Sequence, residues 1–511
     1  MNGTAHRARL HHAAWPALLA LALLLVAGGG VQAEEESGPL WLVVTRPAFV
    51  EALEPLAAHR RGQGLAVEIS TQPAAEALAG RDPAPAFLLL VGDDAPGADG
   101  AAWHVPSPRR SLYRWTPRQQ TDFPSDALIG DVDDDLLPDI PVGRIPARTA
   151  AEVATVVAKI VAYEQKTPTT ADLRVLAWAG APGYGKLLDS MATSFLVQTV
   201  RSRSPDWAGR FLLSAAPDHP LAGWLPDQPE IFNRELARGA ILGAVVAHAS
   251  ATSVAVCHGG DHPVRYGTEQ FGAAFADGEP KSPLVLLACD CGSFDREQRC
   301  LAETLLFLPG GPVATVAATT ESHPLTNYFT GRTLLQALGQ GKRRLGGVWV
   351  EAQRAGREAR SLLIEKALAG AEGSLEDEID LDQLRRDQPL LYAIIGDPAT
   401  RLRIPDPLDA TVERTESGWR WSVEKPAGAT ALQVAVRRPE GATKRVAGKP
   451  KDREEAVARL LAANAATAFV AGSPAEGSWT GEVQGPEGGW LRLVATGPGV
   501  FRVFTRKLEA R

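Results

Sequence analysis

Two short aliphatic runs in the middle of this 511-residue chain each lead into a reactive side chain. Residues 240–247 run into His248, which Ala249 and Ser250 follow, and residues 283–288 run into Cys289. Runs this short, and this rich in Val and Leu, have the pattern of parallel strands buried on both faces. A side chain just past the last buried position lies at the carboxyl edge of the sheet, where open α/β folds gather their functional groups. An imidazole beside a thiol at that edge can take the thiol proton and raise the thiolate fraction, which is the minimum apparatus for nucleophilic thiol catalysis.

Other residues nearby invite other chemistry. Cys291 lies two positions beyond Cys289 and would share its face in an extended segment, so it is a rival nucleophile. Cys257, His258 and His262 are usable zinc ligands, which opens a zinc-hydrolase reading, although their spacing matches no standard closed site. With Cys300 the chain has four cysteines, all in this one stretch and too few for a disulfide-built scaffold. Export would permit a Cys257–Cys300 or Cys257–Cys291 bridge, so the cluster is either a local staple or chemistry.

Export is what the N-terminus suggests. Arg7 and Arg9 precede an apolar stretch at 15–27 that ends in small residues and Val31-Gln32-Ala33, the three-part pattern of a signal peptide cut after Ala33. Its apolar core is shorter than the ~20 residues of a spanning helix, and no later stretch offers one. Removing 1–33 takes the formal charge from −7 to about −9. A mildly acidic chain without a basic run gives no ground for a nucleic-acid partner.

The elements that must hold the two strand ends read as two α/β blocks. In the first, 34–165, strands at 41–44, 65–69 and 87–91 alternate with a helix at 49–61, the order of a right-handed βαβ unit. A helix at 150–164 follows, with Thr149 and Glu152 as a capping box. The second block, 166–405, holds strands at 173–178, 313–317 and 391–395 besides the two reactive ones, a helix near 333–338, and an acidic, solvated excursion at 370–389. Past Pro405 and Pro407, segments at 419–423, 431–436, 490–494 and 500–504 alternate like strands of a β-sandwich, with a helical pattern at 454–463 between them. The expected fold is a three-layer α/β/α with a mostly parallel sheet in two subdomains, plus a β-sandwich-like domain at 407–511.

Three stretches together resemble the gingipain family of secreted cysteine peptidases, within the caspase-like clan. They are residues 137–149, residues 246–250, and residues 288–294 with Leu301-Ala302-Glu303 after them; Gly396-Asp397-Pro398 is similar to the family's end. The match spans about 40–405. It implies that His248 is the general base and Cys289 the nucleophile of a secreted endopeptidase that hydrolyses protein or peptide substrates through a thioester acyl-enzyme. The expected oxyanion donors are the backbone N–H groups of Ala249 and Cys289, and no cofactor is required for the chemistry. Three positions depart from the family. Ala249 stands where it has Gly, Arg148 where its arginine-cleaving members carry a His-orienting carboxylate, and Ala158 where they carry the acid of the specificity pocket. Strict cleavage after Arg or Lys is therefore not implied, because a buried guanidinium needs a carboxylate partner. Glu152, one turn beyond Arg148, is the candidate replacement for the orienting acid. Arg148 and Ala249 at those positions motivate the alternative of a catalytically inactive extracellular binding module.

Asp131, Asp133 and Asp135 alternate ahead of these stretches, with Asp139 beyond. Oxygen ligands at this spacing suit a structural calcium ion, although the Gly and terminal Glu of an EF-hand loop are missing. A solvated acidic turn is the other reading. The family resemblance, which implies structural calcium, tips the expectation toward the ion.

Overall fold

The computed structural model of the chain describes residues 38–509 apart from 114–121, 182, 184–185, 258–263, 269, 272–274, 276–277, 372–379, 440–448 and 473–478. The expected signal segment, 1–33, lies outside the described residues. No helix among the described residues is long and apolar enough to cross a membrane.

Aliphatic runs of four to six residues build a ten-stranded sheet. Its strands in chain order, with those of a small hairpin sheet, are β1 (Leu40–Thr45), β2 (Ala66–Ser70), β3 (Phe87–Val91), β4 (Val142–Ile145), β5 (Arg174–Ala179), β6 (Gly209–Ser214), β7 (Leu242–Val246), the hairpin strands β8 (His248–Ser250), β9 (Ser253–Cys257) and β10 (Val264–Gly267), then β11 (Leu284–Leu287), β12 (Thr315–Ala318) and β13 (Tyr392–Ile395). The large sheet runs β2-β1-β3-β4-β13-β12-β11-β7-β5-β6. Nearest neighbours are parallel except β13 and β12, which pair antiparallel through Ile394 and Val316. The sheet is thus two parallel five-stranded halves whose carboxyl edges face opposite ways. β13, which the sequence order groups with the second block, completes the first half by pairing Ile394 with Gly143. That pairing is long-range, so no local pattern reveals it.

Helices cover both faces, as a sheet apolar on both sides requires. One face carries α1 (Val50–Gly62), α2 (Ala150–Gln165), a helix at Gln228–Ala237 and α3 (Leu301–Phe307), packed around Trp41, Trp178 and Leu286. The other carries a helix at Lys186–Arg203, then α4 (Pro324–Ala337), α5 (Leu345–Glu358) and α6 (Leu381–Leu391), packed on Val285, Val316 and Ile394. The capping box of α2 forms as expected, with Thr149 and Glu152 exchanging bonds. The expected solvated excursion is corrected over 381–389. α6 buries Leu384, Arg385, Asp387 and Gln388, and its charges are paired: Arg385 with Glu365 and Asp387 with Arg110. Residues 372–379 of that excursion lie outside the described residues.

The motif residues beyond the two strand ends are largely scaffold. Arg144, fully buried, forms a two-point ion pair with Asp126 and donates to the carbonyls of Gly92 and Val105. Asp397 accepts from Trp41 Nε1 at 3.0 Å and from Arg60 Nε at 2.9 Å. Gly143 faces the Gly396 carbonyl so closely that a Cβ would collide with it.

The C-terminal residues form two small sheets around Trp419, Trp421 and Leu493, antiparallel except where Asp406 and Pro407 pair parallel with Arg502 and Val503, with α7 (Arg453–Ala465) between strands. α7 docks on β6, the outermost strand of the large sheet. The Asn464 amide accepts from Leu212 N at 2.8 Å and donates to Leu212 O at 3.1 Å, meeting that strand as another strand would.

Candidate active site

Parallel pairing decides what sits next to what at the sheet edge. β7 and β11 are neighbours, with Val245 opposite Leu286 and Val246 opposite Leu287. His248 and Cys289 each lie two residues past the last of these pairs. Both therefore leave the carboxyl edge at the same level, from strands about 4.8 Å apart. Ala247 N donates to Leu287 O at 3.4 Å, which extends the register one step toward them. The expectation that these strand ends lie side by side holds.

The chain after β7 turns at once into the hairpin β8–β9, where Ala249 pairs with Val254. Val254 and Val256 are buried, and Gly180 N and Ala181 N donate to Val246 O and Val256 O at 2.7 and 2.8 Å. These contacts fasten the hairpin to the sheet and leave His248 exposed. Tyr266 of β10 packs edge-on against Trp178 of β5, which also meets Phe232.

Cys289 is half-buried and stands before a tight turn. Asp290 adopts φ 59°, a left-handed conformation that Asp tolerates better than most residues. The turn is closed by Asp290 N on Thr320 O at 2.9 Å, Gly292 N on Ala318 O at 2.8 Å and Ser293 Oγ on Asp290 O at 2.7 Å. Cys289 Sγ lies 3.5 Å from Ser322 O and 3.4 Å from Ser322 N.

The other thiols are in poor settings for nucleophilic work. Cys291 is fully buried with Sγ against Ser250 O, and burial pushes its thiol well up, as it does for Cys300. Cys257 is half-buried, and its thiol is raised by burial and then by Asp189. None of the four cysteines is in a disulfide, so neither bridge considered from Cys257 is formed. His258 and His262 of the zinc reading lie outside the described residues.

Glu152, the candidate orienting acid, is engaged at the start of α2. Its Oε2 accepts from Arg148 N at 2.8 Å and Thr149 N at 3.2 Å, while Oε1 takes Arg299 at 2.7 Å. Helix capping and this ion pair occupy both oxygens of the carboxylate. Arg148 itself bonds Asp93 at 2.5 Å, a carboxyl raised by its burial and lowered by that arginine.

In the acidic loop, Asp131, Asp133 and Asp139 bring carboxylate oxygens within 4.8 Å of one another. Asp135, the fourth residue of the expected set, lies outside this group, and its carbonyl and carboxylate face Arg357. Hard oxygens so close together fit calcium by ligand type. The loop also closes on itself, since Asp131 accepts from Asp135 N and Leu136 N and Asp139 from Val132 N.

The sequence reading missed the segment 319–323. It follows β12, the strand on the other side of β11, and is buried throughout. The rule that singles out His248 and Cys289 applies equally to Thr319-Thr320-Glu321-Ser322-His323, a polar run at the end of an aliphatic strand.

A comparison with curated protein sequences found no match. Among solved structures, the Arg-specific cysteine proteinase gingipain R matches with a TM-score of 0.51 at 15% identity, over 93% of this chain and 99% of that one. A structure described only as a protease matches with a TM-score of 0.51 at 16% identity, over 92% of this chain and 97% of its own. At these identities the likeness establishes the shared fold. The family model for peptidase family C25 matches residues 34–403. The chain belongs to that family, the gingipain family of cysteine peptidases.

Proposed function

We propose that the protein is a secreted cysteine-type endopeptidase in which Cys289 is the nucleophile and His248 the general base. The observation that carries this reading is the level placement of the two residues at one sheet edge, with Cys289 accessible where Cys291 and Cys300 are buried. The imidazole takes the thiol proton and the thiolate attacks a peptide carbonyl. The backbone N–H groups of Ala249 and Cys289 stabilise the oxyanion. The protonated imidazole then gives its proton to the leaving amine, and water hydrolyses the thioester. An alanine after the histidine keeps the N–H that this role needs. The substrates are proteins or peptides, and the chemistry asks for no cofactor. Export through 1–33 would start the mature chain at Glu34, and a calcium ion on Asp131, Asp133 and Asp139 would stiffen the loop ahead of β4.

Hydrolysis of a fluorogenic peptide library varied at P1 tests this reading. Cleavage by the wild type that is lost in Cys289→Ala and kept in Cys291→Ala supports it and reveals the pocket's preference. The competing reading, an inactive binding module, is favoured by Arg148, whose side chain pairs with Asp93 at the position of the family's orienting carboxylate. Absence of cleavage by folded wild type, with and without calcium, would decide for that module.

A further inference from the structure

We infer that Ser322 is a positioning residue for the Cys289 thiol, held in place by a buried network of Asn327, Tyr392 and Gln388. The inference rests on the reading of Cys289 as nucleophile and adds what tunes it. One residue offers the sulfur both partners it needs. Ser322 O, 3.5 Å away, can accept from the neutral S–H; Ser322 N, 3.4 Å away, can donate to the thiolate. A donor to the ionised form favours that form, so the contact promotes the reactive state.

The side chain of Ser322 is what the network grips. Asn327 Nδ2 donates to Ser322 Oγ at 2.8 Å. Asn327 Oδ1 accepts from Tyr392 Oη at 2.7 Å and from Gln388 Nε2 at 3.1 Å, which fixes the amide's orientation. Thr326 Oγ1 donates to Gln388 Oε1 at 2.7 Å. Ser322, Asn327, Gln388 and Tyr392 are all at most 5% exposed and come from the 319–323 link, α4, α6 and β13. Apolar side chains would pack these elements with less desolvation, and buried polar networks are demanding because every member must be satisfied. Here the network ends on a residue whose main chain brackets the thiol sulfur.

The test is the pH dependence of Cys289 alkylation by iodoacetamide, read by peptide mass in the full chain. Half-buried Cys257 serves as the internal control. The wild-type Cys289 profile should turn below the free-thiol value of about 8.5. In Tyr392→Phe and Asn327→Ala it should move up by about one pH unit while Cys257 keeps its profile. On a cleaved peptide, kcat should fall with KM unchanged. If Asn327→Ala does not fold, Tyr392→Phe, which removes only a hydroxyl, carries the test. An unchanged Cys289 profile in a folded variant that merely melts earlier overturns the inference, as does a wild-type profile turning at or above the free-thiol value. A shifted profile without peptide cleavage supports the inference and counts against the peptidase reading instead.

Discussion

Arg144 meets Asp126 along one edge of its guanidinium, with Nε 2.7 Å from Oδ2 and Nη2 2.6 Å from Oδ1, and both side chains are buried. Burial alone would lower the arginine's affinity for its proton; Asp126 and the neighbouring Asp94 and Asp93 more than reverse this and leave it raised. Removing one partner strands a charge in the core. Asp126→Ala is expected to cost about 3–5 kcal/mol in urea denaturation, whereas Arg144→Met combined with Asp126→Leu should cost much less. Equal losses would show that the pair is not acting as a unit.

Glu303 gives a pH dependence of definite sign. It caps α3 through Cys300 N, is fully buried, and its carboxyl is pushed up to about 8 by burial and then by Asp93. The folded value lies above the ordinary 4.5, so the folded state keeps the proton that the unfolded state gives up. Its contribution to stability is present below pH 4.5 and is lost as pH rises through about 8. Glu303→Gln cannot ionise, so its stability relative to wild type should grow between these limits. Thermal melts of both proteins from pH 5 to 9 measure this, and parallel curves would refute the assignment.

The acidic loop predicts which carboxylates matter to calcium. Added calcium should raise the melting temperature of the wild type, since a ligand that binds only the folded state stabilises it. The rise should vanish in Asp131→Asn and in Asp139→Asn but survive in Asp135→Asn, whose side chain faces Arg357. A wild type indifferent to millimolar calcium would leave the loop as a self-closed turn.

Glu152 should behave as a helix cap. Thr149→Ala is expected to cost about 1 kcal/mol by loss of the N-cap. Glu152→Ala should lower stability comparably, because it loses the reciprocal bond and the Arg299 contact. The pH profile of peptide cleavage, normalised to folded protein, should not change. A shift in its acidic limb would return Glu152 to an orienting role for His248.

How far the sequence could be read depended on the range of the interactions concerned. His248 and Cys289 were visible because the length and composition of their strands are local properties. The α2 cap was visible down to the bond between Thr149 and Glu152, but the ion pair of the same carboxylate with Arg299, far along the chain, was not. Ser322 was not singled out, since its importance comes from Asn327 and Tyr392, five and seventy positions away. Residues 381–389 looked solvated because Arg385 and Asp387 find their partners, Glu365 and Arg110, far along the chain. The antiparallel junction of the two half-sheets is likewise a contact between Val316 and Ile394 that no periodicity announces.

The docking of Asn464 on Leu212 bears on how the protein tolerates proteolysis. An outermost strand with free N–H and C=O groups is a template for another chain, and β6 is fully apolar in its middle, at Phe211, Leu212 and Leu213. The asparagine amide plugs that template, while Val494, Phe501 and Val503 cover Leu173 and Trp207 beside it. Clipping the chain near residue 406 would therefore not release a trimmed, self-sufficient α/β core. It would uncover an adhesive rim, and the fragment would be expected to precipitate or to pair with itself.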